Sequence, residues 1–142
     1  IKRIKRIEPL DGVLEFLAYL QNHKEYLGVV TGNLEEPAEL ILKKSNLMRF
    51  FSILSYDDGS SEREQIVQRA IDKAKARNYN FNKVVVIDDT ARGIEAGKYV
   101  GAFTAAVATG SESLKVLQQA NPDIAIPTMR EYRKILEAVK SS

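Results

Sequence analysis

The residues best suited to chemistry fall in three places. Asp88 and Asp89 stand side by side, directly after the β-branched apolar run 84–87. Adjacent carboxylates crowd negative charge, which a bound cation relieves, and hard cations such as Mg²⁺ take oxygen ligands. Thr31-Gly32-Asn33 closes a second apolar run, 26–30, and is followed by Glu35, Glu36 and Pro37. Two readings stand for it: an ordinary strand-to-helix turn, or a phosphate cradle in which a hydroxyl and the Gly32 and Asn33 amides face an anion at a helix start. Arg63 is placed in the first turn of a predicted helix, where a cation opposes the helix dipole by about 0.3 kcal/mol or more. Either an anion lies near it, or it is solvated and pairs with Glu62 or an acid of the preceding loop. The single histidine, His23, falls in the polar connector 21–25 and reads as a solvated loop residue. With no cysteine in the chain, disulfides, thiol catalysis and thiolate metal sites are excluded, and no zinc constellation can be assembled.

The elements that must position these groups alternate along the chain. A helix opening at Asp11 or Gly12 places Val13, Phe16, Leu17 and Leu20 on one face. A strand over 26–30 leads into a helix running to about Lys44, with acids at its positive end and Pro37 in its first turn. A short strand follows over 52–56. Ser61 and Glu64 have the spacing of a capping box, so a helix is predicted from there to Arg77, with Ile66, Val67, Ala70, Ile71 and Ala74 as its apolar stripe. Residues 84–87 suit a parallel strand buried on both faces, although so short a run also suits a buried helix. Thr90 can cap the next helix, to Tyr99, and Gly101 can end it. A strand over 103–107, a helix capped by Ser111 or Ser113 and stopped by Pro122, a strand over 123–126 and a last helix capped by Thr128 complete the series. This alternation predicts one parallel sheet with helices on both faces, and in such sheets ligands bind at the carboxyl edge of the strands.

The stretch 83–110, KVVVIDDTARGIEAGKYVGAFTAAVATG, resembles the fourth motif of the haloacid dehalogenase superfamily, nearest to its phosphoglycolate phosphatase-like hydrolases. The usual form there is Gly-Asp-Thr after an apolar strand, with a second Asp four residues after the first. Here Asp88 replaces the Gly, Asp89 matches the metal-binding Asp, Thr90 matches, and Gly93 stands where the second Asp is expected. A double-Asp variant also occurs in that family, with Asp88 in the compensating position. Thr31-Gly32-Asn33 is similar to the second motif, a strand ending in Ser or Thr that holds phosphate. Arg63, in SEREQIV, is similar to the third, a Lys or Arg that neutralises nucleophile and phosphate. The resemblance spans the chain from about Pro9 onward. It implies a three-layer Rossmann-like α/β core and Mg²⁺-dependent hydrolysis of a small phosphorylated metabolite. Thr31 and Arg63 would be the catalytic residues, Thr31, Gly32, Asn33 and Arg63 the phosphate ligands, and Asp89 and Asp88 the metal ligands.

The family's first motif, an Asp-x-Asp at the end of the central strand, occurs nowhere in the 142 residues. In the family its first Asp attacks phosphorus and its second acts as general acid and base. The resemblance therefore implies a central strand missing from this chain, and two strands left with unpaired inner edges. A longer parent chain, a strand from a second chain, or a rearranged and inactive sheet would each account for it. Alone, the chain is expected to bind Mg²⁺ poorly and to turn over no phosphate ester. Residues 1–8 read as a basic linker or the remnant of a cap connection, and 9–142 as the core domain. The chain begins at Ile, so a processed product or a fragment is expected. A net charge of +2 gives no general attraction to nucleic acid. No apolar run is long enough to span a membrane and no signal peptide is visible, so a cytoplasmic location is expected. The competing functions are a non-catalytic binding module on the same fold and, less favoured by the order of its acids, a phospho-receiver-like domain.

Overall fold

A computed structural model describes residues 9–32, 35–59 and 62–142. Asn33, Ser61 and the basic segment 1–8 lie outside the described residues. The chain divides into two compact units, one built mainly of Leu17–Tyr79, the other of Leu10–Phe16 with Asn80–Ser142. Helix α1, Val13–Asn22, runs from the residues of one into those of the other.

In the unit of Leu17–Tyr79, β1 (Gly28–Val30) lies parallel to β2 (Ile53–Ser55), with Val29 opposite Leu54. Parallel neighbours need a crossover, and α2 (Glu35–Lys44) is its helix. Helix α3, Arg63–Ala76, follows β2 and buries Ile66, Val67 and Ala74. Ser55, 1% exposed, donates its hydroxyl to the Ile66 carbonyl at 2.7 Å. That bond satisfies a polar group which would otherwise be costly at this depth. The capping box expected at Ser61 and Glu64 is formed one residue later. Glu62 accepts from the Gln65 backbone, and the Gln65 side chain accepts from the Glu62 N–H at 2.8 Å. Both pairs have the same spacing. Glu62 holds the extended backbone of an N-cap, with φ −74° and ψ 156°, so the box forms around it.

In the second unit, β3 (Val85–Asp88), β4 (Phe103–Val107) and β5 (Ile124–Ile126) form a parallel ladder in that order. Val85 pairs with Phe103 and Ala105 with Ile124. The connecting helices are α4 (Ala91–Tyr99) and α5 (Leu114–Gln119), and α6 (Tyr132–Ser141) follows β5 after a short 3-10 turn. Thr90 and Ser113 cap the helices that the sequence assigns to them, whereas Thr128, expected to cap the last helix, caps the 3-10 turn Met129–Glu131, and α6 starts after Glu131 without a side-chain cap. Thr90 accepts from the Gly93 N–H, Ser113 from Val116 and Thr128 from Arg130. Gly101, at φ 80°, ends α4 by donating to the Lys98 carbonyl. Strand β4 is the buried centre, and Ile94, Ala106 and Leu117 pack together as a core without exposure. Full burial of a side chain the size of Ile94 or Leu117 contributes about 1.5–3 kcal/mol.

The fold is α/β with parallel strands, as expected, and they are not joined in one continuous ladder, in line with the unpaired inner edges that a missing central strand implies. The strands fall into two hydrogen-bonded ladders, β1-β2 and β3-β4-β5. Strand β3 is an edge of its ladder, and Val85 is 36% exposed, so the expectation of burial on both faces fits β4 and not β3. Among the described residues, no helix is long and apolar enough to cross a membrane.

Candidate functional site

The Asp88-Asp89 pair stands where β3 ends and α4 begins. Asp88 is held by its neighbour: Oδ1 accepts from the Thr90 N–H at 2.9 Å and from the Thr90 hydroxyl at 2.8 Å. The same Thr90 oxygen accepts the Gly93 N–H at 3.0 Å. One threonine thus fixes the strand-end carboxylate and caps the helix together.

Gly93 is part of this arrangement. A Cβ built on it would lie 2.0 Å from the Asp88 Cγ. The Asp88 carboxylate therefore occupies the space next to the α4 backbone from which a residue-93 side chain would grow, and only glycine leaves room for it. Gly110, in the turn after β4, does the same for Asp89: a Cβ there would lie 2.3 Å from Asp89 Oδ2.

The tight turn screens the Asp89 carboxyl although the residue as a whole is exposed. Its pKa is raised above the ordinary carboxylate value, first by partial burial and then by the nearby Asp88 and Glu112 charges. Glu112 enters this neighbourhood from the turn ahead of α5. Its Oε1 accepts the Ala91 N–H at 3.1 Å, taking up one of the free amides at the start of α4. The sequence reading did not single out Glu112, because 21 positions separate it from its partner and no local pattern links them.

Mg²⁺ can be tested against these donors. Two hard carboxylates on consecutive residues, with like charge uncompensated around Asp89, fit the protein's share of a magnesium shell in which water fills the other positions. Among the described residues, no group of three or more His, Cys, Asp or Glu side chains is arranged to hold a metal ion.

The other candidates lie in the unit of Leu17–Tyr79. The Thr31 N–H donates to the Ser55 carbonyl at 3.0 Å, continuing the β1-β2 ladder, and Gly32 follows in a bend. Arg63 is the first residue of α3. A Cβ on Gly32 would lie 3.9 Å from the Arg63 guanidinium carbon, so the structure brings the strand-end turn and this cation together. Asp88 and Asp89 are gathered in the other unit, with Thr90, Gly93, Gly110 and Glu112. His23 is exposed, as expected, stacked on Tyr19 with ring centroids 3.9 Å apart.

Residues 1–107 match the family model of the haloacid dehalogenase-like hydrolases. Among curated proteins, the chain is 25% identical over 135 residues to the pyrophosphatase PpaX of Halalkalibacterium halodurans, covering 93% of this chain and 61% of that protein. It is 24% identical over 130 residues to a phosphonoacetaldehyde hydrolase of Bacillus cereus, covering 90% of this chain and 49% of that one. The chain therefore spans about half to three fifths of the length of these relatives. Among solved structures, a haloacid dehalogenase-like family hydrolase from Streptococcus pneumoniae superposes with a TM-score of 0.78 over 91% of this chain and 60% of its own, at 14% identity. At that identity, the likeness is one of fold.

Proposed function

The chain belongs to the haloacid dehalogenase-like hydrolase family, and from that premise we propose that it is part of a Mg²⁺-dependent phosphomonoester hydrolase acting on a small phosphorylated metabolite. The observation that carries this reading is the Asp88-Asp89 pair at the carboxyl end of β3, bracketed by two glycines whose missing side chains leave room for the carboxylates. The relatives are named for reactions on pyrophosphate and phosphonoacetaldehyde. Both molecules carry a phosphoryl-type group, which supports a phosphorylated substrate and leaves its organic part open.

Each residue has a task in this reading. Asp89, with Asp88 beside it, would hold Mg²⁺, which supplies positive charge against the phosphoryl oxygens when bound. Thr90 keeps the Asp88 carboxylate oriented through its two bonds to Oδ1. The Thr31 hydroxyl and the Gly32 and Asn33 amides would bind phosphate oxygens. Arg63, at the start of α3 beside Gly32, would add a guanidinium to the same anion and offset its charge. Positioning and charge neutralisation of this kind carry phosphoryl transfer. The nucleophile belongs to an Asp-x-Asp segment, supplied by a longer parent chain or by a second chain, that would also complete the sheet. Residues 9–142 form the core in this reading.

The test is a Mg²⁺-dependent aryl phosphate assay on the 142 residues alone and joined to a relative's Asp-x-Asp segment. Turnover is expected only from the joined form, with a loss of at least about a hundredfold in Asp89→Asn and near-wild-type melting. Turnover that survives Asp89→Asn would place the chemistry on other residues. A second reading is a non-catalytic module on the same fold that keeps the anion site of the Gly32 turn and Arg63 and does no chemistry. Phosphate binding without turnover in the joined form would favour it.

A further inference from the structure

Helix α3 and its C-cap carry three long cations at a spacing of four, Arg69 and Lys73 in the helix and Arg77 at the cap. Each reaches the backbone of β2 or its flanking residues. Arg69 Nη2 donates to the Tyr56 carbonyl at 2.9 Å, Lys73 Nζ to the Leu54 carbonyl at 2.7 Å, and Arg77 Nη1 to the Ser52 carbonyl. The acceptors are alternate residues. The carbonyl between two of them, that of Ser55, is taken instead by the Thr31 N–H on the β1 side. The match follows from the geometry of the two elements. Four residues of helix rise about 6 Å, and two residues of strand advance about 6.6 Å, so the helix and the strand edge run in near register.

A strand edge exposes a row of unpaired carbonyls and amides to which another strand can add, and long cations are one of the means that oppose this. Ion pairing strengthens the arrangement at one end, where Arg69 also meets Asp58 at 3.3 Å. In the middle, the Lys73 ammonium lies 5.5 Å from the centre of the Tyr56 ring. A cation held over a tyrosine face gains from the ring quadrupole.

We propose that Arg69, Lys73 and Arg77 act together as a guard on the outer edge of β2, and that their removal opens this edge to pairing with the same edge of a second copy of the chain. The guard acts through backbone acceptors and does not depend on the proposed hydrolase chemistry.

The test replaces all three by Met, which keeps the aliphatic stems and removes the donors. A control of equal charge replaces the exposed Lys75, Lys115 and Lys140 by Met. Both are compared with the wild-type chain by sedimentation velocity across a concentration series. The triple guard variant is expected to self-associate at least tenfold more tightly than the control. Hydrogen exchange should then show new protection at the Leu54 amide. A folded guard variant whose association matches the control overturns the proposal, as does association that leaves the Leu54 amide unchanged. Should the triple variant lose its circular dichroism signature, the single Lys73→Met variant decides. It opens the central carbonyl alone and should associate more weakly but still above wild type. A folded single variant indistinguishable from wild type would then sink the idea.

Discussion

At the scale of single residues, Asp88 and Gly93 are complementary, since the carboxylate of one fills the space that the other lacks a side chain to fill. This gives physical content to the departure from the usual motif, in which the second acid stands four residues after the first. The acid has moved from the helix to the strand end, and the glycine has moved the other way. Gly93→Ala should therefore push the Asp88 carboxylate off its Thr90 bonds and weaken Mg²⁺ binding by about tenfold or more, as losing an outer support of a metal site commonly does. The exchange Asp88→Gly with Gly93→Asp should restore much of that loss. Titration of the Thr90 and Gly110 amide resonances with Mg²⁺, in the form joined to an Asp-x-Asp segment, would read both changes. An exchange variant as weak as Gly93→Ala would show that the strand-end position itself is required. The Asp88-Asp89 pair and Thr90 were legible in the sequence because their meaning is local: two acids and a capping residue after an apolar run. Glu112 and the packing of Gly110 against Asp89 were not, because each is created by a turn that returns from β4 to the start of α4.

At the scale of elements, most helix and strand positions followed from periodicity and caps, since Thr90 and Ser113 satisfy local amides whatever surrounds them. The expected capping box missed by one residue because Ser61/Glu64 and Glu62/Gln65 share one spacing, and only backbone geometry separates them. The division into two ladders follows from the absent Asp-x-Asp strand, which leaves β1 and β3 each with an unpaired inner edge, and β3 is indeed an edge of its ladder. Packing between elements can be tested at Gly97, on the inner face of α4. A Cβ there would lie 2.8 Å from the Thr104 methyl and 3.1 Å from the Val86 Cβ. Thr104 has little freedom to yield. It is fully buried, and its N–H donates to Asp123 Oδ2 at 2.8 Å while its hydroxyl accepts from the Asp123 N–H. Gly97→Ala should lift α4 from β3 and β4 and cost about 1–3 kcal/mol by overpacking, seen as a lower midpoint in urea with an unchanged slope. A midpoint equal to or above that of the wild type would mean that the interface can relax.

At the scale of the whole molecule, the unit containing the acid pair is discontinuous in sequence, drawing on Leu10–Phe16 as well as Asn80–Ser142. Gly12 makes the join. Its φ is +85°, and a Cβ on it would lie 2.3 Å from the Met129 carbonyl carbon. Phe16 packs at 5.5 Å from the Tyr132 ring, and Asp11 meets Arg130 at 2.5 Å across 119 positions. The ion pair is largely exposed on both sides and adds little by itself, so the close backbone approach and the ring contact carry the join. Gly12→Ala meets both a strained backbone and a backbone clash, and should cost about 3 kcal/mol or more. Faster hydrogen exchange in Met129–Glu131 is expected before any in β2. Uniform loosening of both units would show that the join is not local to one of them.

The same join bears on how the protein is made. During synthesis Leu10–Phe16 leave the ribosome more than a hundred residues ahead of their partners near Met129. At the usual pace of a ribosome that interval is on the order of ten seconds. Phe16 spends it without the Tyr132 ring that later packs against it, while Leu17–Tyr79 is completed well before. The nascent chain thus offers a short apolar helix start as a natural foothold for a chaperone until the segment around Met129 has been made.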